Sequence, residues 1–430
     1  MPPSLLAKTT CPNCWHQFEP HDVLWVSSHP SLRGDARLGS DAHRRFLPSR
    51  FSPEGDALDA LGAACTQLAC PRCHFPVPRV CLEVKPWFVS LFGAPSSGKS
   101  YLLAAMMWAL RRRLPELFRV GFTDADAGTN QALAGWEEQL FFNATPDADF
   151  PLVDLIRKTL AVGEQYNEVT FGSDPILYPQ PFLFTLRPRA DHPLTDDADA
   201  ARVLCFYDNA GESFLAGGDT ATSPVTRHLA ESALLLFLFD PIQHAPFRQR
   251  LTAAGITLAS DLPADKRANR QDLIVTEAAA RVRRFARLRD GDKHDRPLVV
   301  IVSKMDVWGP LVPEMTSPEL PIAATRSRAA ALNLDRINEQ SDAIRRLLVA
   351  LTPEVVTAAE EFASSVTYVG ASALGTAPTE SPITKRWTVR PSNVRPAGVE
   401  LPLLLGLHKH FPQLISGGRR PASASTGKRP

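Results

Sequence analysis

Gly93-Ala94-Pro95-Ser96-Ser97-Gly98-Lys99-Ser100 is the stretch that decides the fold. It fits G-x-x-x-x-G-K-[ST] in the context that pattern requires: residues 87–92 are an apolar run of strand length, and residues 101–114 read as a helix. A loop of this kind turns its backbone N–H groups inward around a phosphate, and the following helix adds the positive end of its dipole. Lys99 would reach the β and γ oxygens of a nucleotide, and Ser100 would ligate Mg²⁺. Residues 93–100, with Tyr101 beside them, form the expected phosphate-contacting set.

Outward from this loop, further apolar runs occupy residues 203–207, 234–239, 298–302 and 366–369. Each is too continuously apolar for a sheet with one wet face. Helical patterns fall between or after them: at 273–288, where Ile274, Ala278, Val282, Phe285 and Leu288 recur, and at 341–351, 353–362 and 401–408. Alternating strands and helices predict an α/β domain over residues 86–415, a P-loop NTPase three-layer sandwich whose mostly parallel sheet has helices on both faces. Residues 416–430 carry Gly, Ser, Pro and basic residues with almost nothing apolar, so they are expected to be disordered.

Composition narrows the function classes. At 430 residues the chain exceeds what one core usually serves, and Lys plus Arg (47) balances Asp plus Glu (46). That balance gives no general pull toward nucleic acid or acidic membranes. The longest apolar run, 233–239, is far short of the roughly 20 residues of a membrane span. With no signal-like start, a soluble cytoplasmic protein without a membrane partner is expected.

Three further motifs follow the loop in order. Asp208-Asn209-Ala210-Gly211 is a D-x-x-G at a strand end: Asp208 can reach Mg²⁺ through water, and the Gly211 N–H can meet a γ-phosphate. The small residues of 214–222 suit a segment that orders around that phosphate. Ser303-Lys304-Met305-Asp306 is a variant of N/T-K-x-D with Ser first. A carboxylate at 306 accepts from the N1–H and N2–H₂ edge of guanine, and the Lys304 stem packs over the ring. Adenine offers no such donor pair. Ser372-Ala373-Leu374 resembles the S-A-x loop whose backbone N–H meets guanine O6. Alone, each of these is an ordinary polar turn; their shared order is what gives them weight.

Four motifs in this order resemble the translation-factor-related (TRAFAC) class of P-loop GTPases over residues 87–410. With CPNC and CPRCH ahead of GAPSSGKS, and DNAGE, FLFDP and ELPLLL after it, the chain is similar to bacterial double-GTPase-type proteins. The resemblance implies a GTP-binding and GTP-hydrolysing regulatory switch, Mg-dependent, in a multi-gene conflict or defence system with protein effectors. The implied catalytic set is Lys99, Asp208 and Glu212. Glu212 stands where many GTPases place a water-orienting Gln, and no arginine finger is evident, so intrinsic turnover should be slow, on the order of 10⁻⁴ s⁻¹. Thr159, Thr170 and Thr185 compete for the switch threonine, with Thr159 preferred. Two alternatives remain: an ATPase of the same fold, if 303–306 is only a turn, and a docking protein whose nucleotide merely stabilises it.

Residues 1–85 form the expected second module. Cys11-Pro12-Asn13-Cys14 and Cys70-Pro71-Arg72-Cys73 are two C-P-x-C knuckles suited to a structural, tetrahedral Cys₄ zinc site. The span between them exceeds the usual ~15–20 residues, which implies an inserted mobile loop over 27–62. His16 and His74 read as neighbours rather than ligands, and Cys65, Cys81 and Cys205 as small apolar fillers. Arg33, Arg37, Arg44, Arg45 and Arg50 could meet nucleic acid, but Asp35, Asp41, Glu54 and Asp56 dilute them and favour a solvated loop. Arg281, Arg283, Arg284 and Arg287 likewise read as a wet helix face.

Overall fold

A computed structural model describes residues 4–156, 166–208, 227–256, 258, 270–289, 291–315, 319–323, 325 and 329–418. At its centre are seven strands: β1 (Pro86–Gly93), β2 (Val120–Asp124), β3 (Phe182–Pro188), β4 (Arg202–Asp208), β5 (Leu234–Phe239), β6 (Leu298–Val302) and β7 (Val366–Gly370). They lie in the order β2-β3-β4-β1-β5-β6-β7. The five expected strands are the five that run parallel, β4, β1, β5, β6 and β7. The sheet ends differently at one edge, where β3 runs against both β4 and β2. Buried Phe182, Phe184 and Leu186 hold β3 there; flanking Pro181 and Pro188 hide the run from a periodicity reading.

Both faces are covered. Helices α1 (Lys99–Arg113), α2 (Gln131–Phe141) and the C-terminal α6 (Leu401–His410) pack on one, where Met106, Leu110, Leu403 and Leu407 meet Leu91, Leu204 and Leu236. On the other lie α3 (Gln271–Ala286), α4 (Leu334–Leu351) and α5 (Pro353–Phe362), against Phe237, Val300 and Tyr368. Helix α4 starts earlier than its apolar periodicity suggests, because the Asn333 side chain accepts the Arg336 N–H and caps a largely polar first turn. Arg281 departs from the expected wet face: it is buried, with Nε 2.7 Å from Glu277.

The amino-terminal module packs on the same face as α3–α5, over β4, joining Trp15, Phe18, Val77 and Leu82 to Val203, Cys205 and Tyr207. Its insertion is not the expected irregular loop. Arg33–Asp35 pairs with Gly39–His43, Ala57–Leu58 with Ala64–Cys65, and Arg45–Phe46 with Leu24–Val26. Buried Asp59 organises one turn by accepting the N–H groups of His29, Leu61 and Ala63. Cys65, Cys81 and Cys205 are buried. No helix among the described residues is long and apolar enough to cross a membrane.

Candidate functional site

The loop at 93–98 leaves β1 and enters α1 through a backbone that few residues accept. A Cβ on Gly93 would lie 2.6 Å from the Leu238 carbonyl oxygen, so β5 runs too close for any side chain. Gly98 sits at φ +91° and Ser96 at φ +57°, left-handed positions that reverse the chain before Lys99 opens the helix. Alternating hands of this sort aim successive N–H groups into a common concavity.

Three chemical groups converge beside that loop. The buried Lys99 ammonium donates to the carbonyls of Gly93 (3.1 Å) and Ala94 (2.8 Å). Ser100 Oγ donates to Asp208 Oδ2 at 3.2 Å, joining the helix start to the end of β4. Asp208 is 4% exposed, and burial pushes its carboxyl up to about 6, against the opposing pull of Lys99 and Ser100. Its Oδ1 and the Ser97 hydroxyl are buried without a hydrogen-bond partner among the described residues. An orphaned carboxylate oxygen beside a serine hydroxyl and an ammonium is a donor set that suits a hard divalent cation next to phosphate. Tyr101 points elsewhere, its hydroxyl donating to the Leu152 carbonyl.

The 303–306 and 372–374 motifs lie at the same end of the sheet, after β6 and β7. Lys304 adopts φ +57° and places its ammonium 2.8 Å from Asp240 Oδ2. The Ser372 hydroxyl donates to Asp306 Oδ1 and in turn accepts the Gly375 N–H at 2.8 Å. The Trp308 indole, fully buried, donates to the Ser303 carbonyl at 2.8 Å and pins the turn from below. Ala373 and Leu374 pack on the core edge, with the Leu374 carbonyl accepting from the Arg395 N–H.

Sequence reading assigned no role to the residues that join the two motif clusters. Asp240, at the end of β5, is fully buried; its Oδ1 accepts the Ile242 N–H while its backbone exchanges two hydrogen bonds with the Gln271 amide. Three residues on, the Gln243 amide donates to the Pro95 carbonyl of the 93–98 loop at 3.1 Å. One short segment therefore touches both loops. The FLFDP stretch contained the signal for Asp240; nothing local marks Gln243 or Gln271.

Gly211, Glu212, residues 214–222 and Thr159 lie outside the described residues. Thr185 is buried in mid-β3, paired with Val203, and the Thr170 N–H donates to the Arg37 carbonyl at 2.9 Å while its own carbonyl accepts from the Arg37 guanidinium at 3.4 Å.

The second site is the cysteine cluster. The sulfurs of Cys11, Cys14, Cys70 and Cys73 lie within 4.8 Å of one another and are all buried. Cys11 and Cys73 are 3.7 Å apart, Cys14 and Cys70 3.8 Å. A tetrahedral zinc with ~2.3 Å bonds needs sulfur–sulfur edges of about 3.8 Å, so the four could hold an ion such as zinc. The knuckles are near copies: Asn13 and Arg72 N–H groups each donate to the preceding cysteine sulfur at 3.4 Å, and Trp15 and His74 each take a left-handed φ. Burial pushes the Cys11 and Cys73 thiols up, whereas hydrogen bonds from Cys11 and Cys14 draw Cys70 down. His74 stands outside this cluster, and its Nδ1 lies 2.9 Å from the Asp35 carboxylate.

No protein-family model matches the chain. It is 26% identical over 260 residues to SaeC of Mycolicibacterium smegmatis, a protein provisionally named for ESX-1 scaffolding and assembly. The match covers 56% of this chain and 59% of that protein, so this chain spans under two thirds of the relative's length. Among solved structures it is similar to the GTP-bound GTPase-like domain of Ski7 from S. cerevisiae, at 8% identity and a TM-score of 0.25, over 67% of this chain and 43% of the other.

Proposed function

We propose that the chain is a guanine-nucleotide-binding switch protein of the P-loop NTPase fold, a slow GTPase whose residues 86–415 form the nucleotide domain and residues 1–85 a zinc ribbon. The observation that carries this reading is the convergence of Lys99, Ser100 and Asp208 beside a left-handed glycine loop, with two buried oxygens that find no partner among the described residues. Residues 93–100, the Tyr101 backbone and Gly211 would contact phosphates; Ser100 and Asp208 would hold Mg²⁺, which supplies charge neutralisation at the phosphate oxygens. Asp306 would accept from the guanine edge with Ser372 holding one of its oxygens, and Lys304, drawn in by Asp240, would cover the ring. Glu212 is assigned the position beside the attacking water.

The phosphate groups follow β1 and β4 and the base groups follow β6 and β7. Adjacent parallel strands thus deliver both sets at their carboxyl ends, the edge where open α/β sheets bind ligands. A second reading draws on the scaffolding name of the mycobacterial relative: nucleotide sets the shape of a docking platform for partner proteins, and turnover is incidental.

Titration of labelled GTP with Mg²⁺ tests the first reading. The wild type should bind GTP and GDP, ATP should fail to compete, and Lys99→Ala should lose at least about 100-fold in affinity, because a charge-assisted contact to each of two phosphates is removed. Equal competition by ATP would transfer the site to the ATPase alternative. Absence of binding to any nucleotide would end the reading.

A further inference from the structure

The amino-terminal module does more than sit near the sheet. Tyr207 and Asp208 are consecutive in β4, so their side chains leave opposite faces: Asp208 turns toward Ser100, and Tyr207 enters the core shared with the cysteines. There its hydroxyl donates to the Pro12 carbonyl at 2.6 Å and accepts the Trp15 indole N–H at 2.9 Å. Pro12 lies inside the first knuckle and Trp15 directly follows its second cysteine, with the Trp15 N–H donating to the Cys11 carbonyl. Both partners of the phenol therefore belong to the loop that presents Cys11 and Cys14.

The ring is held just as firmly. It lies 5.9 Å from the Trp15 ring and stacks on His228 at 5.1 Å, while His228 bonds Ser90 of β1. Arg227, beside His228, lies over the Trp15 ring at 5.9 Å. A phenylalanine would fill the same space; a fully buried hydroxyl is tolerated only because the knuckle satisfies it. What the hydroxyl adds is a geometric link between the cysteine loop and the residue next to Asp208.

Resting on the nucleotide-switch reading above, we propose that Tyr207 is a positioning residue that couples the Cys₄ cluster to the Mg²⁺-binding carboxylate of Asp208, so that filling one site strengthens the other. Sulfur ligation would fix the knuckle, the knuckle would fix the phenol, and the phenol would fix the strand residue immediately before Asp208. Coupling of this kind is reciprocal: whatever factor zinc adds to GTP·Mg²⁺ affinity, GTP·Mg²⁺ must add to zinc affinity.

The test uses the full chain and two binding constants. Zinc affinity is measured by competition with a chromophoric chelator, with and without GTP and Mg²⁺; GTP affinity is measured with and without Mg²⁺ on zinc-loaded protein. In the wild type, GTP·Mg²⁺ should tighten zinc roughly fivefold, the low end of measured couplings between sites. In Tyr207→Phe that gain should vanish and the Mg²⁺-dependent part of GTP affinity should fall by a similar factor, while Mg²⁺-independent GTP binding stays as in the wild type. A purely structural role would lower both GTP constants together and would overturn the proposal. So would a wild-type zinc affinity unmoved by GTP·Mg²⁺, a measurement that needs no variant to fold. If the wild type binds no GTP under any condition, the switch reading itself falls and this inference with it.

Discussion

The proposed phosphate side and the proposed base side of the site solve opposite problems. On the phosphate side Lys99 and Asp208 are nearly inaccessible, at 7% and 4% exposure, and the carboxylate keeps an oxygen that no described residue satisfies. On the base side both charged groups are answered from within the protein: Lys304 by Asp240, Asp306 by Ser372. A buried carboxylate with one oxygen unsatisfied costs stability until a cation arrives, whereas charged groups answered within the protein cost less. The difference suggests that affinity is stored on the phosphate side and selectivity is kept on the base side. Substitutions should separate the two.

On the base side the largest effect should come from Asp306→Asn. Two charge-assisted hydrogen bonds to the guanine edge are lost or inverted, so GTP affinity should drop on the order of 100-fold while xanthosine triphosphate gains. Competition binding with the two nucleotides reads both changes; unchanged GTP preference would remove the base-side assignment. Asp208→Asn should act on stability in the opposite sense. Its carboxyl is raised from 3.8 to about 6 in the fold, so the native state holds this proton more tightly than the unfolded chain. The ionised group therefore imposes no penalty below pH 4 and its full penalty, at most about 3 kcal/mol, above pH 6. Without nucleotide, the asparagine variant should be the more stable protein at pH 8, with the gain shrinking to nothing near pH 4. Denaturant midpoints at the two pH values check the sign. Loss of stability at pH 8 would mean the carboxylate is already compensated.

How much of this was legible in advance follows from how local each signal is. The five parallel strands are continuous apolar runs because both faces are buried, and the loops after them carry their chemistry within four to eight consecutive residues. The knuckles are equally local. The antiparallel edge was not: β3 alternates no polar face and sits between prolines, so its strand identity comes from pairing with β4 rather than from its own pattern. Order in the insertion rests on single buried side chains, Asp59 for its turn and Asp35 for the contact to His74, which composition alone reads as solvated charge. The links between clusters are more remote still, since Tyr207 and Trp15 are 192 residues apart. Long-range hydrogen bonds by one side chain leave no periodicity to find.

The smallest effect should be that of Asp240→Asn, and its size is informative. Removing one member of a buried ion pair is ordinarily severe because the other charge is stranded. Here the stranded partner is Lys304, whose side chain is 35% exposed and can turn to water, whereas Asp240 is fully buried. An asparagine at 240 can still accept the Ile242 N–H through Oδ1 and leaves the Gln271 backbone bonds untouched. GTP affinity should consequently fall only about fivefold, the worth of one modest hydrogen bond, with guanine selectivity unchanged because Asp306 and Ser372 are not involved. Lys304→Ala is the informative contrast: it strands a carboxylate that cannot reach solvent, so its melting temperature should drop further than that of Asp240→Asn. Calorimetric titration and thermal melts of the pair would show whether Lys304 is held in place chiefly for the ligand or chiefly for the fold.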